Sequence, residues 1–561
     1  MTTSIVKLVF ISVTIFISIF PTTSTSAVGL ENGFLLCFQS ALGHNTTSGV
    51  IFTKSNSSYE PLLESSIRNS RFLVSSVPKP DLIVTPHNLF QIQLALLCSK
   101  KNNLQVRIRS GGHDYEGLSY VSHVPFLIID LINLRSISIN IKEESAWVQS
   151  GATLGELYYA IANISKVHGF PAGSCSTIGV GGHFSGGGFG TIFRKYGLAS
   201  DNVIDAQMVD VNGKILNRTL MGEDLFWAIR GGGGSSFGVI TAWKIKLVPV
   251  PSTVTIFDVS RTLDQGASSL FHKWQTIAPK LPAELFVHTV LGVANSVVSH
   301  GGKTVRVSFT GLYLGTAEEL LPLMQNRFPE LGLQHNNFTQ MTWIQSVLYF
   351  AGYSIDESLE VLLVRNKTSS SFKAKSDYVK EPIPLLGLEG LWKMLLLEDS
   401  PFLTITPYGG IMSEISESET PFPHRKENLY GIQYFVNLVS NEETPKHIDW
   451  IRRLYAYMAP YVSKSPRQAY LNYRDLDLGV NRGNSSYEEA KSWGLKYFNN
   501  NFERLAVVKA RVDPENFFRD EQSIPPHVLS IRKFKLGSSS RHPNRAKTLS
   551  EHSSLCFPKF L

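Results

Sequence analysis

Three glycine-dense loops are the places where this sequence could do chemistry. They cover residues 109–117 (RSGGHDYEG), 173–190 (GSCSTIGVGGHFSGGGFG) and 230–238 (RGGGGSSFG). Glycine lets a backbone approach a bulky anionic ligand and point its amide N–H groups at phosphate oxygens. The loops indicate a phosphate-bearing cofactor, although tight turns in a β-rich domain would give the same composition.

Common nucleotide-binding motifs do not describe these loops. Counting G-x-G-x-x-G from Gly179 puts Phe184 where the third glycine belongs, and the full G-x-x-x-x-G-K-S/T pattern of a P-loop is absent. The sequence predicts a dinucleotide-sized cofactor held in another geometry. Nucleic acid is not an expected partner, because a net charge of +7 is modest for 561 residues and forms no basic stripe.

The elements that position the loops alternate between strands and helices. Residues 75–251 contain five runs rich in Val and Ile that predict strands: LIVTP, VRIRSGG, PFLIIDL, AWVQSGA and GVITAWKIKLV. Helices are predicted over 88–100 and 153–166, the second with Thr153 as its N-cap and Glu156 three residues later.

A second domain is expected over residues 252–465. KTVRVSFTGLYLG and YGIQYFVNLV predict strands, and residues 317–327 predict an amphipathic helix, so we expect an antiparallel sheet backed by helices. Helical segments are predicted over 448–461 and, as one helix, over 486–514. The fold class is therefore α+β. Residues 527–561 predict a basic, disordered tail.

Residues 1–27 have the pattern of a signal peptide, with Lys7, an apolar run over 8–20 and small residues before Ala27. That run is short for a membrane span, so no membrane association is expected. We expect a secreted, extracellular or vacuolar protein. Seven Asn-x-Ser/Thr triplets agree with glycosylation on this route: Asn45, Asn56, Asn163, Asn217, Asn337, Asn366 and Asn484.

The four cysteines differ in their surroundings. Cys37 and Cys98 lie in apolar segments, and an oxidising compartment would let them pair. Cys556 lies in the tail. Cys175 has no evident partner and lies in a glycine-rich loop, where it is either a chance buried thiol or a reactive group.

Five segments together resemble one plant flavoprotein family. RSGGHDYEGLSY, CSTIGVGGHFSGGG, DLFWAIRGGGGSSFGVITAWK, YLNYRDLDLG and VDPENFFRDEQSIP are similar to the berberine bridge enzyme-like family, within the vanillyl-alcohol oxidase and p-cresol methylhydroxylase class. PYGGIMSEISESETPFPHR also resembles the family's cannabinoid-forming oxidocyclases. The resemblance implies a two-lobed FAD-binding domain over 28–251, a substrate domain over 252–465 and a segment over 466–526 that completes the flavin site.

The resemblance implies a doubly tethered FAD. In the family, a histidine of the SGGHD loop bonds the flavin 8-alpha methyl carbon and a cysteine of the second loop bonds ring carbon 6; these positions are His113 and Cys175. Two bonds would fix the ring and raise its reduction potential. A Cys37–Cys98 disulfide is also implied, and His183 is expected to be structural or phosphate-adjacent. Residues matched to the flavin surroundings are Ser110, Gly111, Gly112, Asp114, Gly179, Gly182, Gly186, Gly187, Ile240, Tyr470 and Asn472.

Hydride transfer to the flavin needs a base for the substrate hydroxyl, and the resemblance assigns Tyr473 this role. A free phenol has a pKa near 10, so a cation or hydrogen-bond donors would have to lower it. Tyrosines could also serve only core packing. Further matched positions face the flavin (Tyr115 and Tyr196) or the substrate (Gln433, His288 and Tyr408).

Three positions, at which members of the family differ from one another, bear on the chemistry that the resemblance implies. Gly431 replaces a lysine that supports a tyrosinate in many relatives, and an acidic residue of the oxidocyclases. Those oxidocyclases have alanine in place of Tyr115. Ile178, three residues after Cys175, lies where valine favours reaction with oxygen and leucine hinders it.

The sequence predicts a secreted, monomeric FAD oxidase without a metal. It would transfer hydride from a phenolic, prenylated phenolic or alkaloid substrate, with cyclisation or desaturation as outcomes, and O2 would become H2O2. Alternatives are a carbohydrate or monolignol oxidoreductase of the same family, a non-redox cyclase scaffolded by FAD, and a structural wall or defence protein.

Overall fold

The computed structural model describes residues 27–42, 49–296, 298, 302–365, 369–438, 440, 442–483 and 486–528. Several predictions fall outside these residues: the signal peptide up to residue 26, the tail with Cys556, and the sequons at Asn45, Asn366 and Asn484. Within the described ranges, none of the helices has the length and apolar character needed to cross a bilayer. Helices and sheets mix as the α+β prediction requires.

The first sheet has four short strands. In sheet order they are β1 (Ile51–Thr53), β2 (Leu82–Val84), β4 (Phe126–Asp130) and β3 (Gln105–Arg109). Strands β2, β3 and β4 run parallel, and β1 is antiparallel to β2. Helices α1 (Ala27–Leu42), α2 (Tyr59–Glu64) and α3 (Leu89–Lys101) accompany them. A disulfide joins Cys37 of α1 to Cys98 of α3, which confirms that pairing.

The second sheet is antiparallel throughout. Its order is β5 (Ile137–Asn140), β6 (Ser145–Gln149), β10 (Val239–Lys246), β8 (Val203–Val209) and β9 (Ile215–Leu216), and a separate pair joins β7 (His168–Gly169) to β11 (Val248–Pro249). Its helices are α4 (Leu154–Ile164), α5 (Val180–Ser185), α6 (Phe193–Tyr196) and α7 (Arg218–Ile229). Thr153 and Glu156 form the predicted capping box of α4.

The third sheet has seven antiparallel strands. Its order is β15 (Phe338–Met341), β12 (Val254–Thr262), β14 (Lys303–Tyr313), β13 (Leu285–Asn295), β17 (Pro401–Pro407), β18 (Tyr430–Asn437) and β16 (Phe372–Val379). The helices of this region are α8 (Ala267–Ile277), α9 (Ala317–Arg327), α10 (Trp343–Phe350), α11 (Leu385–Leu395) and α12 (Thr444–Met458). This is the antiparallel sheet that the sequence predicts for the second domain.

Alternation along these strands gives the third sheet two different faces. On β18, Tyr430, Ile432 and Tyr434 pack into the core shared with the helices, whereas Gln433 and Phe435 line a cavity. Side chains in a strand point alternately to opposite faces, so one strand can serve both the core and a site.

The single helix predicted over 486–514 is wrong. The chain forms α13 (Tyr487–Phe498) and α14 (Asn501–Val512), and Asn499 between them has a φ of 46°. Asparagine adopts a positive φ more readily than most residues, so the chain leaves the first helix at Asn499 and starts the next at Asn501. The second helix can then fold back: Gly494 of α13 faces the ring of Phe502 of α14.

Candidate active site

A cavity of about 700 Å³ lies between the glycine-dense loops and the third sheet. Its wall contains parts of all three loops, strands β13, β17 and β18, and the segment 470–474. Residues from three distant parts of the chain therefore meet at one site.

The first two glycine loops, 109–117 and 173–190, touch backbone to backbone at this wall. A Cβ built on Gly111 would lie 2.3 Å from the amide nitrogen of Gly179, and one built on Gly179 would lie 2.3 Å from that of Gly111. No side chain fits at either position. By contrast, a Cβ on Gly182 would meet nothing within 4 Å, so this glycine keeps the space in front of it open.

His113 and Cys175, the two predicted tether residues, both line the cavity and both approach Thr177. The Nε2 atom of His113 lies 3.0 Å from the Thr177 hydroxyl oxygen, and the Cys175 sulfur lies 3.6 Å from it. Burial, followed by the charge of Arg68, lowers the pKa of His113 to about 3, so its imidazole is neutral. Cys175 is a free thiol among the described residues.

Arg474 brings a positive charge to the wall. Its Nε atom donates to Asp114 at 2.9 Å, and the other carboxylate oxygen of Asp114 accepts from the amides of Glu116 and Leu118. The Nη1 atom of Arg474 is buried and has no hydrogen-bond partner among the described residues. Asp114 thus fixes the side chain of Arg474, and the Nη1 atom of Arg474 can still donate a hydrogen bond to an anionic or polar ligand group.

Tyr470 and Asn472 hold the second glycine loop in place. The Tyr470 hydroxyl accepts from the amide of Gly188 at 2.9 Å, and Asn472 donates to the carbonyl of His183 at 3.0 Å. His183 accepts from the amide of Gly173 at 3.0 Å through Nε2. Burial lowers the pKa of His183 to about 4, so it acts here as a neutral structural acceptor.

Tyr115, Tyr473 and Gln433 meet at the cavity. The two tyrosine rings stack with centroids 5.6 Å apart, and Gln433 donates to the Tyr115 hydroxyl at 2.7 Å. The surroundings do not lower the pKa of Tyr473, however. Burial raises it well above 10, and the nearby phenols of Tyr115 and Tyr470 add to the increase.

Three residues differ from their expected places. Tyr196 is not part of the cavity wall, because its hydroxyl donates to the Pro249 carbonyl. Gly187 faces the ring of Phe422 instead of the cavity. Tyr408 is buried beneath the site, where its hydroxyl donates to Tyr378 at 3.2 Å. It lines only a small adjoining cavity, together with Gly431 and Tyr473.

The remaining matched residues lie on the cavity wall. His288, on β13, packs between the rings of Phe286 and Phe350. Burial lowers its pKa to about 4, so its imidazole is neutral. The wall also contains Ser110, Gly111, Gly112, Gly179, Gly182, Gly186 and Ile240.

Sequence reasoning missed a buried ionic cluster beside the site. Lys373 and Lys375 of β16 contact Asp475 at 2.7 and 2.6 Å, and Lys373 also contacts Glu116. Asp475 lies two residues after Tyr473. The cluster therefore fixes the segment that carries Tyr473 against both the first glycine loop, through Glu116, and the third sheet. The sequence does not reveal this cluster, because a lysine on a strand usually predicts an exposed position.

These features fit FAD. The touching glycine backbones, the open space at Gly182 and the unpaired Nη1 atom of Arg474 suit a large ligand with phosphate groups. His113 and Cys175 lie in the same cavity as Tyr115 and Tyr473. FAD supplies the two-electron acceptor, while the protein supplies binding, orientation and charge.

Comparison with known proteins agrees with this arrangement. Residues 80–219 match the FAD binding domain family, and residues 469–525 match the family described as berberine and berberine like. The chain is 51% identical over 525 residues to tetrahydroberberine oxidase of Berberis wilsoniae, covering 92% of this chain and 98% of that protein. It is 53% identical over 476 residues to monolignol oxidoreductase AtBBE-like 13 of Arabidopsis thaliana, covering 84% and 89%.

Solved structures share the fold. The grass pollen allergen Phl p 4, described as having glucose dehydrogenase activity, superposes with a TM-score of 0.83 at 45% identity, covering 88% of this chain and 100% of that one. An isoleucine-to-valine variant of Phl p 4 is described as a glucose oxidase. This chain belongs to the berberine bridge enzyme-like family of FAD-linked oxidoreductases.

Proposed function

We propose that the chain binds FAD through covalent bonds to His113 and Cys175 and oxidises a small, neutral aromatic plant metabolite. Phenolic, prenylated phenolic and alkaloid substrates are the classes we expect, with ring closure or double-bond formation as products. The observation that carries the substrate class is the wall contributed by residues 252–465.

This wall is aromatic and without charge. Six of its side chains are apolar: Phe286, Val290, Phe350, Phe372, Phe402 and Phe435. Its polar side chains are His288, Ser370, Thr404, Thr406 and Gln433, and no Asp, Glu, Lys or Arg of this region lines the cavity within the described residues. Aromatic and aliphatic walls with few polar groups select flat, apolar ligands. A sugar would need more hydrogen-bond partners than this wall offers.

Tyr473 is the proposed base for the substrate hydroxyl. Its ring lies against Tyr115, and Gln433 fixes Tyr115 by donating to its hydroxyl. In the tyrosinate form, Tyr473 would accept the hydroxyl proton as hydride leaves the substrate. Because burial raises the pKa of Tyr473, the tyrosinate fraction is small at neutral pH and grows on the alkaline side. His288, a neutral imidazole, is available to accept a hydrogen bond from substrate.

Anaerobic flavin bleaching tests this proposal. The purified holoprotein would be mixed without oxygen with coniferyl alcohol, a prenylated phenol, a tetrahydroprotoberberine alkaloid and glucose. We expect bleaching with at least one aromatic compound and little with glucose. Rapid bleaching by glucose alone would reject the aromatic substrate class. If none of the compounds bleaches the flavin, the result would favour the alternative of a non-redox cyclase. The Tyr473→Phe protein serves as the matched control.

Acid precipitation tests the two bonds. We expect the flavin to stay with the precipitated protein, and the double variant His113→Ala, Cys175→Ala to release it. Release of the flavin from the unaltered protein would reject bicovalent attachment without affecting the substrate proposal.

We also propose O2 as the electron acceptor, with H2O2 as product. Ile178 lines the cavity three residues after Cys175. Phl p 4 is described as a glucose dehydrogenase and its isoleucine-to-valine variant as a glucose oxidase. By analogy we expect Ile178 to slow the reaction with O2 without preventing it.

Entry into the secretory pathway is the proposed route to the extracellular space or vacuole. The Cys37–Cys98 disulfide fits an oxidising compartment. The sequon residues Asn56, Asn163 and Asn217 are exposed, and Asn337 is half-buried. Expression in plant cells tests this: we expect cleavage near residue 27, a mass decrease on deglycosylation, and a monomer in gel filtration. An uncleaved, unglycosylated chain would contradict the proposal.

A further inference from the structure

One hydroxyl group touches both proposed tether residues. Thr177 is buried, with 3% of its surface exposed. Its hydroxyl oxygen lies 3.0 Å from Nε2 of His113 and 3.6 Å from the sulfur of Cys175. His113 follows β3 in the first sheet, whereas Cys175 follows α4, so the two side chains come from different loops and share this contact.

We propose that Thr177 is the positioning residue that orients His113 and Cys175 for their bonds to the flavin. The proposal rests on the bicovalent attachment proposed above. In it, the Nε2–H group of His113 donates to the Thr177 oxygen, and the Thr177 hydroxyl donates to the Cys175 sulfur. The Nδ1 atom of His113 then keeps its lone pair for bond formation.

The charge state of His113 agrees with this arrangement. Burial and the neighbouring Arg68 lower its pKa to about 3, so the ring carries a single N–H. In a neutral imidazole one ring nitrogen carries the proton and the other accepts. The proposal places the proton of His113 on Nε2, the nitrogen that lies 3.0 Å from the Thr177 hydroxyl oxygen.

The loop that carries Thr177 is fixed by α4. The amide of Leu154 donates to the carbonyl of Ile178 at 2.9 Å, and the amide of Gly155 donates to that of Ser176 at 2.9 Å. The first turn of a helix has free amide groups, and here they hold the backbone on both sides of Thr177. The hydroxyl position is therefore set by the fold.

Forming each bond is an oxidation, and the Thr177 hydroxyl can assist it without being consumed. Joining Nδ1 of the imidazole to the methyl carbon forms one N–C bond and breaks one C–H bond, and the ring then releases its proton from Nε2. Joining the sulfur to ring carbon 6 breaks one S–H and one C–H bond and forms one S–C bond. In each case two electrons and two protons pass through the flavin ring to O2, which becomes H2O2.

Thr177→Val removes the hydroxyl at nearly constant volume, and Thr177→Ser retains it. The holoproteins would be digested, and mass spectrometry would measure the flavin on the peptides that contain His113 and Cys175. We expect both bonds in the unaltered protein and in Thr177→Ser. In Thr177→Val, we expect the fraction of chains with both bonds to fall about tenfold, the effect of losing one hydrogen bond.

Reference variants separate the possible results. Cys175→Ala and His113→Ala each leave one bond, and adding Thr177→Val to each tests the effect on that bond alone. Thermal unfolding checks that Thr177→Val folds. If it does not fold, Thr177→Ala replaces it, alone and combined with Cys175→Ala or His113→Ala, and the same bonds are measured. Two bonds at unaltered levels in folded Thr177→Val would overturn this inference alone. Absence of both bonds from the unaltered protein would instead overturn the bicovalent proposal, and this inference with it.

Discussion

The phenol rings of Tyr115 and Tyr473 lie nearly parallel, with 9° between their planes and 5.6 Å between their centroids. Tyr115 lies in the first glycine loop, after β3, and Tyr473 lies between α12 and α13. Phe372 meets the Tyr115 ring edge-on, and Tyr470 meets the Tyr473 ring edge-on, each at 5.0 Å. The stack thus joins two parts of the chain at the cavity, and its neighbours are aromatic rings instead of charges.

Removing the Tyr473 hydroxyl should slow substrate oxidation while leaving the ring stack intact. For Tyr473→Phe we expect the rate of anaerobic flavin reduction to fall by about 10²–10⁴-fold, the usual contribution of a general base. Stopped-flow absorbance measures this rate. Tyr115→Phe is the matched control: it loses the Gln433 hydrogen bond, and we expect a decrease of about tenfold. Equal rates for Tyr473→Phe and the unaltered protein would remove Tyr473 as the base.

The rate should also rise with pH. Burial and the neighbouring phenols raise the pKa of Tyr473 well above 10, and only the tyrosinate accepts a proton. At pH 7 the tyrosinate fraction is then below about one in a thousand, and it grows about tenfold per pH unit. We expect the logarithm of the reduction rate to increase with a slope near one between pH 6 and 9, and this slope to vanish in Tyr473→Phe. A plateau that begins near neutrality would contradict the high pKa.

A lysine at position 431 should move this pH profile to lower pH. Gly431 lies on β18, and a Cβ there would stand 3.4 Å from Tyr378 and 3.7 Å from Tyr408, which is ordinary contact. An ammonium group near Tyr473 would stabilise the tyrosinate and lower its pKa. For Gly431→Lys we expect reduction at pH 7 to be about tenfold faster or more.

Gly431→Met is the control for volume without charge, and we expect its pH profile to stay unshifted. If methionine shifts the profile as much as lysine does, the change arises from packing, and the electrostatic explanation fails.

Removing the disulfide between α1 and α3 should destabilise the protein. The Cys37–Cys98 bond closes a sequence separation of 61 residues, for which the loss of chain entropy in the unfolded state is about 4 kcal/mol. For Cys37→Ser with Cys98→Ser we expect a lower thermal midpoint, and the same decrease when the unaltered protein is reduced. Reductant should not affect the double variant. An unchanged midpoint would indicate that helix packing alone holds α1.

Local sequence patterns predicted much of this molecule. The Val- and Ile-rich runs gave strands, Thr153 with Glu156 gave the start of α4, and the loop motifs placed His113 and Cys175 at one cavity. Each of these features depends on neighbouring residues, whose spacing is visible in one dimension.

Other features depended on residues far apart in the chain. Lys373 contacts Glu116, 257 residues away, and Asp475, 102 residues away. Tyr196 donates to Pro249, which no motif includes. The pKa of Tyr473 is raised chiefly by burial, which depends on distant elements and is not visible in the residues beside it in the sequence.

Shortening Ile178 should speed the reaction of the reduced protein with oxygen. Ile178 lines the cavity beside Cys175, and one methylene group in a tight pocket changes selectivity by about 10–200-fold. We expect Ile178→Val to increase the oxygen rate constant by about tenfold or more, and Ile178→Leu to decrease it. The protein would be reduced anaerobically with substrate and then mixed with oxygenated buffer. Reduction rates, and reoxidation by a large artificial dye, should be the same in all three proteins. If valine and isoleucine react equally fast with O2, access past residue 178 does not limit the oxidase reaction.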